Sequence, residues 1–591
     1  MGDLSENAQR VLESRYLRRD EHGQVAESAR QLFVRVARAV AAGERDSGGD
    51  AAVSHWEARF LEAISTLDFL PNSPTLMNAG TRLGQLSACF VLPVEDSISD
   101  IFDSLGLMAR IQQSGGGTGF SFASLRPRGD VVRSTGGTAS GPVSFMRIFD
   151  CATEHIRQGG RRRGANMGVL RVDHPDIEEF VDAKRDGVSF PNFNLSVGVT
   201  DAFMRAAQAG EPFELLDPAT GQIVRRVDAA ALLDRIADAA WRIGDPGLLF
   251  LDAINRANPT PGLGAIEATN PCGEVPLLPY EACNLGSIHL GRMFRTTGDR
   301  CEIDWDRLGE TIRLAVRFLD DVIEVSRWPD PRIAKRVRHN RKIGLGVMGF
   351  AELLIRLGLP YDSDAAVGVA GELAACIARE ACAASRELAG ERGVFPNWRD
   401  STWGAKSQPM RNATVVAIAP TGSLSIVADT SASIEPLFAL AYRRSHVLDD
   451  RTLLEANPLF DRWARASGFH SKALVNHLQS KGSLHGFAGV PREVASVFRT
   501  ALEIAPRDHL RVQAAFQRHV DNAVSKTVNL PESATRKEVA DILQLAWSSQ
   551  LKGVTVYRYG SRAQQVLDLG TQGSLLSHEH FARCDPHACR V

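Results

Sequence analysis

The sequence predicts an α/β fold, a sheet or barrel carrying helices. Two observations point there. Between about 61 and 555, short apolar runs such as "SACFVLPV" (87–94) and "ATVVAIAP" (413–420) read as strands. They alternate with stretches of helical periodicity, "LLDRIADAAWRI" (232–243) and "AELLIRLGL" (351–359), and such alternation belongs to α/β architectures. Residues 1–60 read as a helical segment. In "ARQLFVRVARAVAAGE", Phe33, Val36, Ala37 and Val40 recur at helical spacing, and Gly43 can end the helix. Residues 61–559 form the α/β body, and 560–591 a polar, Gly/Ser/His-rich tail expected to be mobile.

At 591 residues, with 44% hydrophobic and 23% charged residues, the chain has the composition of a globular protein with a large core. A net charge of -2 carries no basic surplus for nucleic acid, so a phosphate-bearing ligand needs local sites. No apolar run approaches the ~18 residues of a membrane span, and "MGDLSENAQR" lacks a signal-peptide core. Nine cysteines, dispersed along the chain, fit a reducing compartment rather than a disulfide framework. A cytoplasmic protein is expected.

The densest chemistry lies in "NPCGEVPLLPYEAC" (270–283). Asn270, Cys272 and Glu274 occupy alternate positions, and Cys283 follows Cys272 by eleven residues. An extended segment would aim all three groups at one small volume; a loop with a buried structural cysteine is the plainer alternative. Three glycine clusters accompany it. "SGGGTGF" (114–120) and "GGRRRGAN" (159–166) let a backbone approach a ligand closely, and the arginines of the second can grip phosphate or form a solvated basic loop. "GLGVMG" (344–349) matches the dinucleotide fingerprint, but the preceding "RVRHNRK" is a poor strand. Tight helix packing is the expected use of these glycines. In "VVAIAPTGSLSI" (415–426) a strand-like run ends at Pro420, and Thr421, Gly422 and Ser423 could open a helix. That turn could bind an anion, or be an ordinary capped turn.

Taken together, "PNSPTLMNAG", "LSACFVLPVEDSI", "SGGGTGFSF", "GGRRRGANMGVLRVDHPDI", "NPCGE", "ACNLGSI", "RKIGLGVMGF", "APTGSLSI" and "DNAVSKTVNLP" resemble, in order and across nearly the whole chain, the ribonucleotide reductase large-chain family. The resemblance implies a ten-stranded α/β barrel and reduction of ribonucleotides, with diphosphates the expected form, to 2′-deoxyribonucleotides. It implies that Cys272 becomes a thiyl radical, that Glu274 accepts the 3′-hydroxyl proton, and that Asn270 orients the substrate. Cys89 and Cys283 become the reducing pair. Ser73, Ala88, Cys89, Gly117, Asn270 to Glu274 (with Pro271 and Gly273), and Pro420, Thr421, Gly422, Ser423 and Leu424 match substrate-contacting segments. Asp96, Ser97, Ile98, Arg126, Arg161 and Arg162 match the site where deoxynucleoside triphosphate effectors set substrate choice. Cys584 and Cys589 resemble the shuttle cysteines that exchange with the buried disulfide and with thioredoxin; with His578, His580 and His587 they could alternatively bind zinc. A homodimer is expected.

Three branches of the family differ in radical source. The oxygen-dependent branch uses two adjacent tyrosines, whereas here Tyr557 is followed by Arg558 in "TVYRYGSR". The glycyl-radical motif is also missing. "PNSPTLMNAG" and "VYRYGSR" look most like the adenosylcobalamin-dependent branch, although Tyr559 stands where Asp is usual, and no Asp-x-His-x-x-Gly motif is present. About 60 residues precede "DFLPNSPTLMNAG", so control by dATP through an N-terminal cone is not expected. An inactive nucleotide-binding paralogue is the alternative; intact Asn270, Cys272, Glu274, Cys89, Cys283, Cys584 and Cys589 argue against it. So does the missing glycine motif against a glycyl-radical enzyme for another substrate.

Overall fold

The computed structural model describes residues 4–132, 136–158, 162–298, 300–448, 451–561 and 567–569. Helices Glu6–Arg15, Ala29–Ala41 and Arg45–Ser65 form the N-terminal part. A capping box fixes the start of the second: the Ser28 hydroxyl accepts from Gln31 N–H, and the Gln31 side chain accepts from Ser28 N–H. Leu32, Phe33, Val36, Ala37 and Val40 are fully buried, the face that the spacing predicts. Gly43 does not end the helical region. It lies in a tight turn, Ala42–Glu44, that leads directly into the third helix. Fully buried Glu44 pairs with Arg317 and Arg392, tying this segment to helices Trp305–Val325 and Asp364–Arg392. Removing one member of such a buried pair costs about 3–5 kcal/mol.

The body is a barrel. β1 (Cys89–Leu92), β2 (Gly117–Ser121), β3 (Asn166–Arg171), β4 (Phe193–Val199) and β5 (Gly247–Phe250) are parallel neighbours in that order. A hairpin of β6 (Ala268–Thr269) and β7 (Pro276–Leu277) follows, then β8 (Ala282–His289) and β9 (Ile343–Met348), themselves parallel. β10 (Thr527–Leu530) and β11 (Gly553–Arg558) are also parallel. Residues 415–418 bridge the remaining gap through single parallel pairings, Leu345 with Val416 and Ile418 with Val524. Antiparallel contacts, β5 with β11 and β8 with β1, join the two halves. The result is a closed ring of two five-membered parallel halves running in opposite directions, with Phe69–Pro71 added along β8.

Two local expectations change. "ATVVAIAP" makes bridges rather than a regular strand. The Asp521 carboxylate takes the N–H groups of Val415 at 2.7 Å and Val416 at 2.8 Å, replacing a neighbour's carbonyls. "GLGVM" is β9, not a helix contact. A Cβ on Gly346 would stand 2.4 Å from the Ala417 carbonyl oxygen, so glycine is what lets the bridging segment lie against β9.

Candidate active site

The Asn270–Glu274 run is not extended. It is the turn of the β6–β7 hairpin, closed by Gly273 N–H to Asn270 O at 3.1 Å and by Val275 N–H to the Asn270 side-chain oxygen at 3.0 Å. Gly273, with φ of +83°, occupies the left-handed region the turn requires. Asn270 and Glu274 therefore meet because the chain folds back, not because alternate residues share a strand face. Two glycines of "GGGTGF", Gly117 and Gly119, leave room for this hairpin. A Cβ on Gly119 would lie 1.7 Å from the Thr269 carbonyl oxygen, and one on Gly117 would lie 2.8 Å from the Pro271 ring.

At the tip, Cys272 is exposed while Asn270 and Glu274 are each 2% exposed. Cys89 Sγ lies 3.9 Å from Glu274 Oε1. Glu274 Oε2 is buried and, among the described residues, has no hydrogen-bond partner, which leaves an acceptor open to a donor from a bound ligand. Burial pushes the Glu274 carboxyl up to about 7, against hydrogen bonds from Asn270 and Cys89 that pull it down. Burial also raises both thiols of the neighbouring pair, with Glu274 adding to the rise at Cys89. Cys89 on β1 and Cys283 on β8 stand directly opposite each other in the antiparallel register, both reduced. Opposed residues of this kind have Cα atoms about 4.5–5.5 Å apart, inside the range a disulfide spans.

Cys272 also borders a cavity of about 250 Å³ whose lining includes Ser196, Gly247 and Thr555, with Glu435 and Lys526 on its wall. Fully buried Lys526 donates to Glu435 at 2.6 Å and to His509 Nδ1 at 2.9 Å. Among the described residues no tyrosine and no histidine lines this cavity. Sequence reading missed Glu435 and His509. "DNAVSKTVNLP" was the one signal near Lys526.

The Pro420–Leu424 turn is not an ordinary cap. Ser423 makes no capping bond to the four-residue helix Leu424–Val427; its hydroxyl instead accepts from Arg15. Thr421, β-branched, holds φ at +54°, with its hydroxyl accepting from Ser433 N–H at 2.7 Å. Such a residue in the left-handed region is strained, and strain of this kind concentrates at ligand clamps. Tyr16 OH is 2.8 Å from Ser73 Oγ. The first helix thus reaches both Ser73 and Ser423, a link absent from any local pattern.

Comparison with known proteins bears on what such a site belongs to. The model of "Ribonucleotide reductase, barrel domain" matches residues 87–407 and 404–557, and that of "Ribonucleotide reductase, all-alpha domain" matches 2–84. The chain belongs to the ribonucleotide reductase large-chain family. It is 55% identical over 590 residues to the vitamin B12-dependent ribonucleoside-diphosphate reductase of Mycobacterium tuberculosis, covering 99% of this chain and 82% of that protein. It is 47% identical over 623 aligned residues to the protein of the same name from Thermoplasma acidophilum, covering 96% and 80%. The class Id ribonucleotide reductase alpha subunit of Actinobacillus ureae shares the fold, with a TM-score of 0.77 at 22% identity over 94% of this chain and 97% of that one.

Of the residues resembling the family's effector site, Asp96, Ser97, Ile98 and Arg126 lie together beyond β1. Asp96 accepts from Arg126 Nε at 2.7 Å, and Ser97 caps the helix Ile98–Gln113. Ile98 and Phe102, one turn apart on that helix, are 62% and 51% exposed. Arg161, Cys584 and Cys589 lie outside the described residues. Arg162 is described by its backbone alone, in the strand Arg162–Arg163 paired with Arg157–Gln158. No helix among the described residues is long and apolar enough to cross a membrane.

Proposed function

We propose that the chain reduces ribonucleoside diphosphates to 2′-deoxyribonucleotides through a radical on Cys272, with adenosylcobalamin as cofactor. The observation that carries this is an exposed thiol on a hairpin tip, set against a buried carboxyl and an opposed pair of buried thiols. Cys272 takes the 3′ hydrogen of the ribose; its S–H bond is weak enough to exchange with that C–H. Glu274 accepts the 3′-hydroxyl proton at its unbonded oxygen. Asn270, fixed by the turn, orients the sugar. The 2′-hydroxyl leaves as water after protonation by Cys89. Cys89 and Cys283 supply two electrons and close to a disulfide. Ser73 and the Pro420–Leu424 turn hold the phosphates.

The cavity beside Cys272 fits part of the proposed cofactor. At about 250 Å³ it falls below the ~300 Å³ of sites that enclose drug-sized ligands, so it suits a nucleoside-sized arm and not a macrocycle. Ser196, Ser525, Thr527 and Glu435 would hold that arm. When bound, adenosylcobalamin supplies the radical that takes the Cys272 hydrogen. Purified protein should reduce CDP with adenosylcobalamin and a dithiol, without a second subunit. Full activity with an iron- or manganese-loaded partner and no cobalamin would sink the assignment.

Asp96, Ser97, Ile98, Arg126, Arg161 and Arg162 bind deoxynucleoside triphosphates in this reading. Exposed Ile98 and Phe102 support a homodimer seated on the helix that Ser97 caps. Cys584 and Cys589 carry reducing equivalents from thioredoxin to the barrel, and the dispersed cysteines support a cytoplasmic setting. Effectors should shift the preferred base by roughly 5–150-fold. Preference unchanged across all four effectors, in competition assays with mixed substrates, would remove the effector assignment.

A further inference from the structure

We propose that Lys342 is a positioning residue for the dithiol, its ammonium set beside Cys283 to receive that sulfur as a thiolate when the Cys89–Cys283 disulfide is reopened. This rests on the reading of that pair as the reducing dithiol. The register places it. Asn284 of β8 pairs with Ile343 of β9, so one step back along both chains sets Lys342 beside Cys283. Cys89 stands opposite Cys283 on its other flank. Paired neighbours project to the same face of a sheet, which makes Cys89, Cys283 and Lys342 a row across three neighbouring strand segments. Gly344 marks the face: it shares parity with Lys342, and a Cβ on it would lie 3.6 Å from Cys283 Sγ.

Glu281, two residues before Cys283, shares that face. It accepts Lys342 Nζ at 2.6 Å, and both side chains are 2% exposed. Asn340 and the Leu278 N–H complete its hydrogen bonds. A buried ion pair brings little net stability over an apolar pair of the same shape, so its position against the redox sulfur calls for another reason. Among the described residues, the charged groups acting most strongly on Cys283 are Lys342 and the carboxylates of Glu274, Asp521 and Glu281, with the Cys89 thiol opposite. Lys342 is the one cation of that set. Burial drives the thiol up, Lys342 draws it down, and the three carboxylates push it up again. An ammonium carries three donors, and one is committed to Glu281.

The step is a disulfide exchange. A thiolate of an incoming dithiol attacks Cys89 Sγ; the S–S bond to Cys283 breaks, and its electron pair stays on Cys283 as thiolate beside Lys342. The dithiol's second thiolate then attacks the mixed disulfide and releases Cys89. The dithiol is oxidised to its disulfide, and the two protein thiolates take up the two protons it gave. A better-stabilised leaving thiolate leaves faster, which assigns Cys283 as the leaving sulfur and Cys89 as the one attacked.

Two measurements on the full chain test this. The disulfide is formed by one substrate turnover or with diamide, then exposed to 2-mercaptoethanol, acid-quenched and mapped by mass spectrometry. The adduct is expected on Cys89, and an adduct on Cys283 would overturn the proposal. In the second, Lys342→Met with Glu281→Gln removes both charges together. Reopening by dithiothreitol should slow roughly three- to tenfold, with its pH profile displaced upward and effector binding unchanged. Lys342→Arg, which keeps the cation, should recover most of the rate. An unchanged rate and profile in the double variant would defeat the role of Lys342 alone. Failure of the wild-type chain to form any Cys89–Cys283 disulfide would defeat the dithiol reading, and this proposal with it.

Discussion

Cys272→Ser is expected to form no product, even in a single turnover by fully reduced protein. Bond strength decides this outcome. Converting a serine O–H to a radical is far more demanding than converting a cysteine S–H, and no positioning by the hairpin can offset that. The substitution is otherwise mild. Cys272 sits exposed at the hairpin tip, the turn around it is closed by the Asn270 and Gly273 bonds, and neither bond uses the Cys272 side chain. Fold and nucleotide binding should therefore persist. Rapid-quench analysis should find no deoxyribonucleotide, and thiol counting should find Cys89 and Cys283 still reduced, because no substrate has consumed their electrons. One equivalent of product per site, or oxidation of the pair, would show that the radical is carried elsewhere.

How far the sequence disclosed this site depends on the range of the interactions involved. The membership of the cluster was legible, because Asn270, Cys272 and Glu274 lie within one short segment. Its shape was not. The run looks extended, and the turn becomes visible only when Gly119 of a distant strand is seen to meet Thr269. The helical N-terminus and its buried face were legible, since a period of 3.6 is a local property. The bridging segment 415–418 misled for the opposite reason: its apolar run is strand-like, but a carboxylate about a hundred residues further on satisfies its first N–H groups. Lys342 and Glu281 lie inside motifs the sequence does show, but nothing local singles them out, and Glu435 and His509 gave no local signal. Their roles come from register and burial, and single lysines, glutamates and histidines are far more often surface groups. Arg15 and Tyr16 belong with these, because their partners Ser423 and Ser73 are remote in the chain.

Glu274→Gln should lower kcat/KM by about 10²–10⁴-fold and abolish its pH dependence near neutrality. Burial raises the carboxyl from an ordinary 4.5 to about 7 in the folded protein. A base must be ionised to accept the 3′-hydroxyl proton, so in the wild-type chain kcat/KM should rise with pH through about 7 and then level. A hydroxyl donating to the unbonded Oε2 favours the carboxylate, so the corresponding limb in kcat should lie lower. The same shift has a consequence for stability. The fold prefers the neutral form, and because the folded value is the raised one, this contribution is fully present below pH 4.5 and lost as pH rises through about 7. The loss is about 3 kcal/mol. Glutamine, neutral at every pH, escapes it. The variant should therefore be more stable than wild type in denaturant titrations at pH 8, by up to about 3 kcal/mol, and indistinguishable near pH 4. Removal of a catalytic group that the fold holds against its own preference commonly trades activity for stability in this way. A rising limb near pH 7 that survives in the glutamine variant would place the essential base on another residue.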